Sequence, residues 1–287
     1  MGGRLDATNI INPEISIISN ISVEHQQYLG SRLSQIAFEK GGIIKKKSPV
    51  ITGAKQKSAV SVLKDIAEKQ SAPFYCCGKD FYTRLYKNKK FTYFGISNTW
   101  RNLQTALMGK HQINNAALVL AACELLNQRG TDIPLQSIRD GLLKTRWPGR
   151  LEKVSDSPVI ILDGAHNLAA VRMLADFLTQ NLDKRKTTLI LGILDDKPYS
   201  AMLHSLLPLC SRVILTSPKI DRVINPEKLY PAAEKLVKDV IIIHDVDKAV
   251  SHALKTASPD EAICIAGSLY VVGEAKEALN KILEFHN

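Results

Sequence analysis

Asp163, Gly164, His166 and Asn167 fall within five residues, DGAHN, directly behind the apolar run PVIIL. An acid, a glycine, an imidazole and an amide packed into the turn after a buried strand are candidates for chemistry, though a capped strand-to-helix turn uses the same residues. GSLYVVGE follows the run EAICIA and sets Gly267 and Ser268 at a helix start. Unpaired backbone N–H groups there favour an anion, and an ordinary helix cap fits equally well. Two candidates stand earlier. Glu24 and His25 follow ISIISNI, where a strand delivers either a metal ligand or a structural histidine. Lys40, in IAFEKGGIIKKK, follows an apolar helical pattern and precedes two glycines that allow close backbone approach. It is either a working amine or a surface lysine.

These residues need elements to position them. From Pro158 onward the runs PVIILDG, TTLILGIL, RVILTS, DVIIIHD and EAICIAG alternate with helical patterns such as LAAVRMLADFLTQNL and DKAVSHALKTA. Continuous Val/Ile/Leu strands alternating with helices predict a parallel sheet covered on both faces, a doubly wound Rossmann-like α/β domain. Ligands of such folds sit beyond the carboxyl ends of the strands, where Asp163 to His166, Asp195, Asp196, Gly267 and Ser268 all fall. The first half is also α/β, with ISIISNI and SPVITG as strands. SAVSVLKDIAEKQ and HQINNAALVLAACELLNQRG read as its helices, and Asn114 lies in the first turns of the second. Pro148 and Gly149 in TRWPGRLE mark a linker around 145–152 between domains at 1–147 and 148–287.

The chain has 287 residues, 45% of them hydrophobic, which is ample for two buried cores. It contains no apolar run approaching the roughly 20 residues that span a bilayer, and no signal-peptide pattern follows Met1, so the expected compartment is the cytoplasm without membrane partners. The five cysteines lack metal-ligand spacing and read as reduced core thiols. A net charge of +10 attracts polyanions of several kinds. Lys87, Lys89 and Lys90 occupy KNKK between FYTRLY and FTYFG and read as a hairpin turn. The aromatics around it leave some room for a nucleic-acid surface, but nucleic acid is not the expected partner.

In order and spacing, GGRLDATN, ISIISNISVEHQQYLG, IAFEKGGIIK, GKHQINNAALVLAA, TRWPGRLE, ILDGAHN and GSLYVVGE resemble the folylpolyglutamate synthase/dihydrofolate synthase family of the Mur ligase superfamily. The resemblance implies a Mur-ligase-type central ATPase domain followed by the Rossmann-like domain. It implies ATP-dependent joining of L-glutamate to dihydropteroate or a folate through an acyl phosphate, with Mg2+ and ATP required. On this resemblance His25 binds magnesium, and Lys40 becomes carbamylated, a carboxylate-like anion able to bind a second magnesium or orient its water and so a catalytic candidate. Asn114, Arg150 and Asp163 meet the nucleotide, and Arg150 is suited to phosphate. His166 and Ser268 lie by the incoming glutamate, with His166 a catalytic candidate.

Departures from the family pattern shape the expectation. Glu24 stands before His25 where the family has Asp, and Gly41 follows Lys40 where it has Ala. A glycine-rich phosphate loop ending in Lys-Ser or Lys-Thr does not occur in these residues, nor does the magnesium-binding glutamate before the two glycines. The ATPase domain is therefore expected to be incomplete, with a complementing N-terminal fragment supplying the loop. The alternative expectation is a non-catalytic remnant or binding module for folate, glutamate or a partner protein.

Overall fold

The computed structural model describes residues 3–22, 29–182 and 185–284. The chain divides into two compact units, Met1–Ala106 with Lys110–Thr145, and Leu107–Gly109 with Arg146–Asn287.

In the first unit, three short strands β1 (Ser16–Ile18), β2 (Val50–Thr52) and β3 (Phe74–Cys76) form a parallel sheet in that order. Helices α1 (Leu33–Gly41) and α2 (Lys57–Lys69) connect them, and both bury alanines, at Ala37, Ala59 and Ala67, which permit close packing. Strands β4 (Tyr82–Leu85), β5 (Phe91–Phe94) and β6 (Thr99–Leu103) make an antiparallel sheet, so KNKK is the expected hairpin turn. Three of its aromatics, Phe81, Phe91 and Tyr93, are core residues, and Tyr82 stacks on Phe94 at 4.7 Å. Helices α3 (Lys110–Gln128) and α4 (Leu135–Lys144) complete this unit.

A buried carboxylate ties the second sheet to α3. Glu124, 1% exposed, accepts hydrogen bonds from Tyr93 Oη (2.8 Å), from the Ile96, Ser97 and Asn98 N–H groups (2.6–2.9 Å) and from Asn98 Nδ2. Burial and this carboxylate together push the Tyr93 hydroxyl far above its ordinary pKa, so it donates.

The opening residues meet the Lys40 segment in the same unit. Gly3 has φ +94°, and a β-carbon there would be driven into the Glu39 carbonyl. Arg4 donates its N–H to Glu39 O (2.7 Å) and pairs with the Glu39 carboxylate at 3.2 Å. Asn9 Nδ2 donates to Gly42 O and Lys45 Nζ to Asn9 O. Gly3 and Gly42 therefore serve one close backbone contact.

The second unit is the expected doubly wound sheet. Strands β8 (Val159–Leu162), β9 (Thr187–Leu191), β10 (Arg212–Leu215), β11 (Asp239–Ile242) and β12 (Ala262–Ala266) are mutually parallel, in the spatial order β11-β10-β9-β12-β8. Alternate residues serve opposite faces. Ile161, Leu189 and Leu191 pack with α5 (Leu168–Leu182), α6 (Tyr199–Leu206) and α7 (Pro226–Ala233). Ile160, Leu162 and Ile190 pack with α8 (Val246–Thr256) and α9 (Leu269–Glu284). One strand was not foreseen. β7 (Glu152–Asp156) adds antiparallel to the β8 edge, and its polar sequence EKVSD carries little strand signal. It begins inside the segment read as a linker, and Leu151, only 2% exposed, belongs to the core of this unit.

All five cysteines are free thiols; Cys76 and Cys264 are buried. Among the described residues no helix is long and apolar enough to cross a membrane.

Replacing Glu124 by Gln sets an amide donor against converging N–H groups. Chemical denaturation should register a loss of about 2–4 kcal/mol. A loss below about 0.5 kcal/mol, the range of a neutral surface change, would show that the turn at 95–98 does not depend on this carboxylate.

Candidate functional site

The winding of the second unit creates a crevice. β8 and β12 are neighbours, but the helix after β8 packs on one face of the sheet and the helix after β12 on the other. The helices that follow the turns DGAHN and GS part to opposite faces at this switch point, the place where such folds bind ligands.

Asp163 organises the crevice. It is 7% exposed, and Oδ2 accepts the Leu151 N–H (2.8 Å) while Oδ1 accepts the Ala165 N–H (3.0 Å). Gly164 donates to Gly149 O (2.7 Å), so segment 149–151 is laid against the end of β8. Leu151 holds φ +47° and Gly149 φ +66° to make this path. Burial pushes the Asp163 carboxyl above its ordinary pKa. The two N–H donors, then Arg150 and His166, oppose that shift.

Arg150 lies over Gly164. A β-carbon on Gly164 would stand 2.9 Å from Arg150 Nη1 and would collide with Leu269. With glycine there, the guanidinium and the Leu269 side chain lie close over the backbone. No ion pair to Arg150 is formed among the described residues, so its charge is available to an anion.

His166 is half-buried, with Nδ1 2.8 Å from Gly164 O. A carbonyl only accepts, so Nδ1 carries the proton. In the neutral ring Nε2 then keeps a lone pair able to take a proton. Asn167 Oδ1 accepts the Ala170 N–H at the start of α5. On the β12 side, Gly267 donates to Ala165 O (3.1 Å) at φ +106°, tying the two turns together. Ser268 is fully buried and its Oγ accepts the Val271 N–H, making it the cap of α9. The exposed residues at that helix start are Leu269 and Tyr270.

The second unit thus assembles Arg150, Asp163, His166 and Ser268. Lys40 and Asn114 belong to the first unit, and His25 lies outside the described residues. Lys40 is half-buried in the last turn of α1, and its amine has no ion-pair partner among the described residues. Asn114 is exposed in the first turns of α3. Gly41 has a packing reason: a β-carbon there would stand 2.6 Å from Ile66 Cδ1, so glycine matches the bulk of α2. Among the described residues there is no group of three or more His, Cys, Asp or Glu side chains placed to hold a metal ion. The free guanidinium of Arg150 does fit a phosphate. Sequence reading missed Glu152 and Lys276, whose pairing depends on a contact 124 residues apart with no local signal.

Residues 2–123 match the Mur ligase middle domain and residues 149–269 the Mur ligase glutamate ligase domain. The chain is 32% identical to the Bacillus subtilis dihydrofolate synthase/folylpolyglutamate synthase, with 97% of this chain and 66% of that protein covered. It is also 32% identical to the probable dihydrofolate synthetase of Schizosaccharomyces pombe, over 96% of this chain and 68% of that protein. The crystal structure of Thermotoga maritima folylpolyglutamate synthase superposes with a TM-score of 0.82 at 33% identity, covering 98% of this chain and 64% of that one. The E. coli FolC structure in complex with DHPP and ADP gives 0.88 at 26% identity, over 98% and 65%. Two Mur ligase domains in this order define the class. Within it, the chain belongs to the folylpolyglutamate synthase/dihydrofolate synthase family, whose members are ATP-dependent ligases. The chain spans about two thirds of the length of the Bacillus subtilis and Schizosaccharomyces pombe relatives.

Asp163 gives a signed pH test. Its raised pKa means that the folded state holds this proton after the unfolded chain has lost it near pH 4. The contribution to stability is full below that pH and is lost as pH rises through the folded pKa. Asp163→Asn removes the titration and leaves one backbone N–H facing an amide donor. Urea unfolding across pH should find the wild type's advantage over this variant largest in acid and shrinking as pH rises. An advantage that grows with pH contradicts the assignment.

Proposed function

We propose that this chain carries the glutamate-joining part of an ATP-dependent folate ligase. L-glutamate is added to dihydropteroate, to a folylpolyglutamate or to both, through an acyl phosphate formed from ATP. The observation that carries this reading is the unpaired Arg150 guanidinium held over Gly164, between Asp163 and the start of α9, in a chain of this family.

Phosphoryl transfer needs positioned cations and aligned reactants more than covalent chemistry. On this reading Arg150 meets phosphate oxygens, and Asp163 sets the backbone that carries Arg150 while contacting the nucleotide. Asn114 is a further nucleotide contact. His166 Nε2 faces the incoming amine and accepts a proton as the amide forms; the carboxylate carbon gains the C–N bond and phosphate leaves. Ser268 keeps the start of α9 in place beside the bound glutamate. His25 and Lys40, the latter as a carbamate, are proposed for the metal. The magnesium ion, when bound, neutralises phosphate charge. As in the family this chain belongs to, the reading has a phosphate loop act together with these residues, brought for the assay by a complementing N-terminal segment, and takes the cytoplasm as the compartment.

A second reading, a binding module for folate, glutamate or a partner protein, is favoured by the lack of that loop in these residues. The two separate in one assay: glutamate-dependent phosphate release from ATP with dihydropteroate, with the product weighed for an added glutamyl residue. The chain alone is expected to be inactive and to gain activity when a segment bearing the phosphate loop is added. His166→Ala should then lower the rate about 100-fold or more. Turnover by the chain alone contradicts the need for the loop. Glutamate binding by calorimetry without turnover in the mixture favours the binding module.

A further inference from the structure

Arg150 is presented by a short segment that is held from two sides. Asp163 and Gly164 hold one side. On the other, Glu152 Oε2 accepts the Gly149 N–H at 2.8 Å, and Glu152 Oε1 pairs with Lys276 Nζ on α9 at 2.5 Å. Both side chains of the pair are largely shielded, 23% and 33% exposed, so the pairing is less screened than a surface ion pair. Lys276 lies two turns along the helix whose first residue, Leu269, packs against Gly164. The same helix therefore touches the ground beneath Arg150 and anchors the residue two places beyond it.

We propose that Glu152 and Lys276 are positioning residues for Arg150. Their pair fixes the Gly149 amide and the left-handed turn through Gly149 and Leu151, and so fixes where the guanidinium is delivered at the crevice between β8 and β12. Neither side chain touches the ligand. The effect travels through three residues of backbone: releasing Glu152 frees Gly149, and Arg150 then samples positions off Gly164. This proposal rests on the reading that Arg150 meets the nucleotide phosphates.

The test is ADP binding by calorimetry to the wild-type chain, Lys276→Met, Lys276→Arg, Arg150→Ala and the Lys276→Met/Arg150→Ala double variant, with thermal unfolding run on each. Lys276→Met is expected to weaken ADP binding about 10-fold, equivalent to about 1.4 kcal/mol. Lys276→Arg is expected to restore most of the affinity. In the Arg150→Ala background Lys276→Met should have no further effect, a non-additivity that loss of stability alone does not produce. If Lys276→Met does not fold, Glu152→Gln replaces it in the cycle, because its amide oxygen still accepts the Gly149 N–H while the ion pair is lost. Unchanged affinity in the folded variant, or an undiminished effect in the Arg150→Ala background, overturns the positioning role and leaves the reading of Arg150 intact. Full ADP affinity in Arg150→Ala, or no ADP binding by the wild type even with the phosphate-loop segment added, overturns both.

Discussion

A carboxylate buried at the end of a parallel strand must find donors, and Asp163 finds them in two backbone N–H groups from different segments. One donor, Ala165, belongs to its own turn; the other, Leu151, belongs to the chain entering the unit. An unsatisfied buried carboxylate is costly, so the entering segment is held wherever that carboxylate is ionised. The rest of the crevice depends on this constraint. Leu151 and Gly149 take left-handed conformations along this path, Arg150 lies over Gly164, and the guanidinium acts on Asp163 through its charge without closing an ion pair with it.

Glycines make the arrangement possible at the places where a side chain has no room. Gly164 lies beneath both Arg150 and Leu269, and Gly267 turns beside Gly192 at φ +106° while its N–H reaches Ala165. Three strand ends, of β8, β9 and β12, are thereby drawn together. In the first unit the same logic joins Gly3 and Gly42, where the opening segment crosses the chain just beyond Lys40.

The apolar runs made the second unit legible. A Val/Ile/Leu strand buried on both faces has a strong local signal, and the residues at its carboxyl end then follow from topology. DGAHN and GS meet as that argument requires. β7 was not legible, because EKVSD has a single apolar residue, Val154, and so lacks the alternation that marks a strand. The segment TRWPGRLE was half-read: Pro148 and Gly149 do break regular structure, but Leu151 and Glu152 are fixed by partners that lie 12 and 124 residues away. Ser268 had two readings, and its hydroxyl caps α9. Glu124 was silent in sequence, since nothing local tells a surface glutamate in a helix from one that gathers a distant turn.

The central claim is that Asp163 and its neighbours hold Arg150 as a free cation for nucleotide phosphate. A crystal structure of the protein with ADP tests it most directly. The account predicts a phosphate oxygen within hydrogen-bond distance of the Arg150 guanidinium, with the Leu151 N–H still donated to Asp163. Nucleotide bound elsewhere, with Arg150 still lying on Gly164 and touching no phosphate, would contradict it.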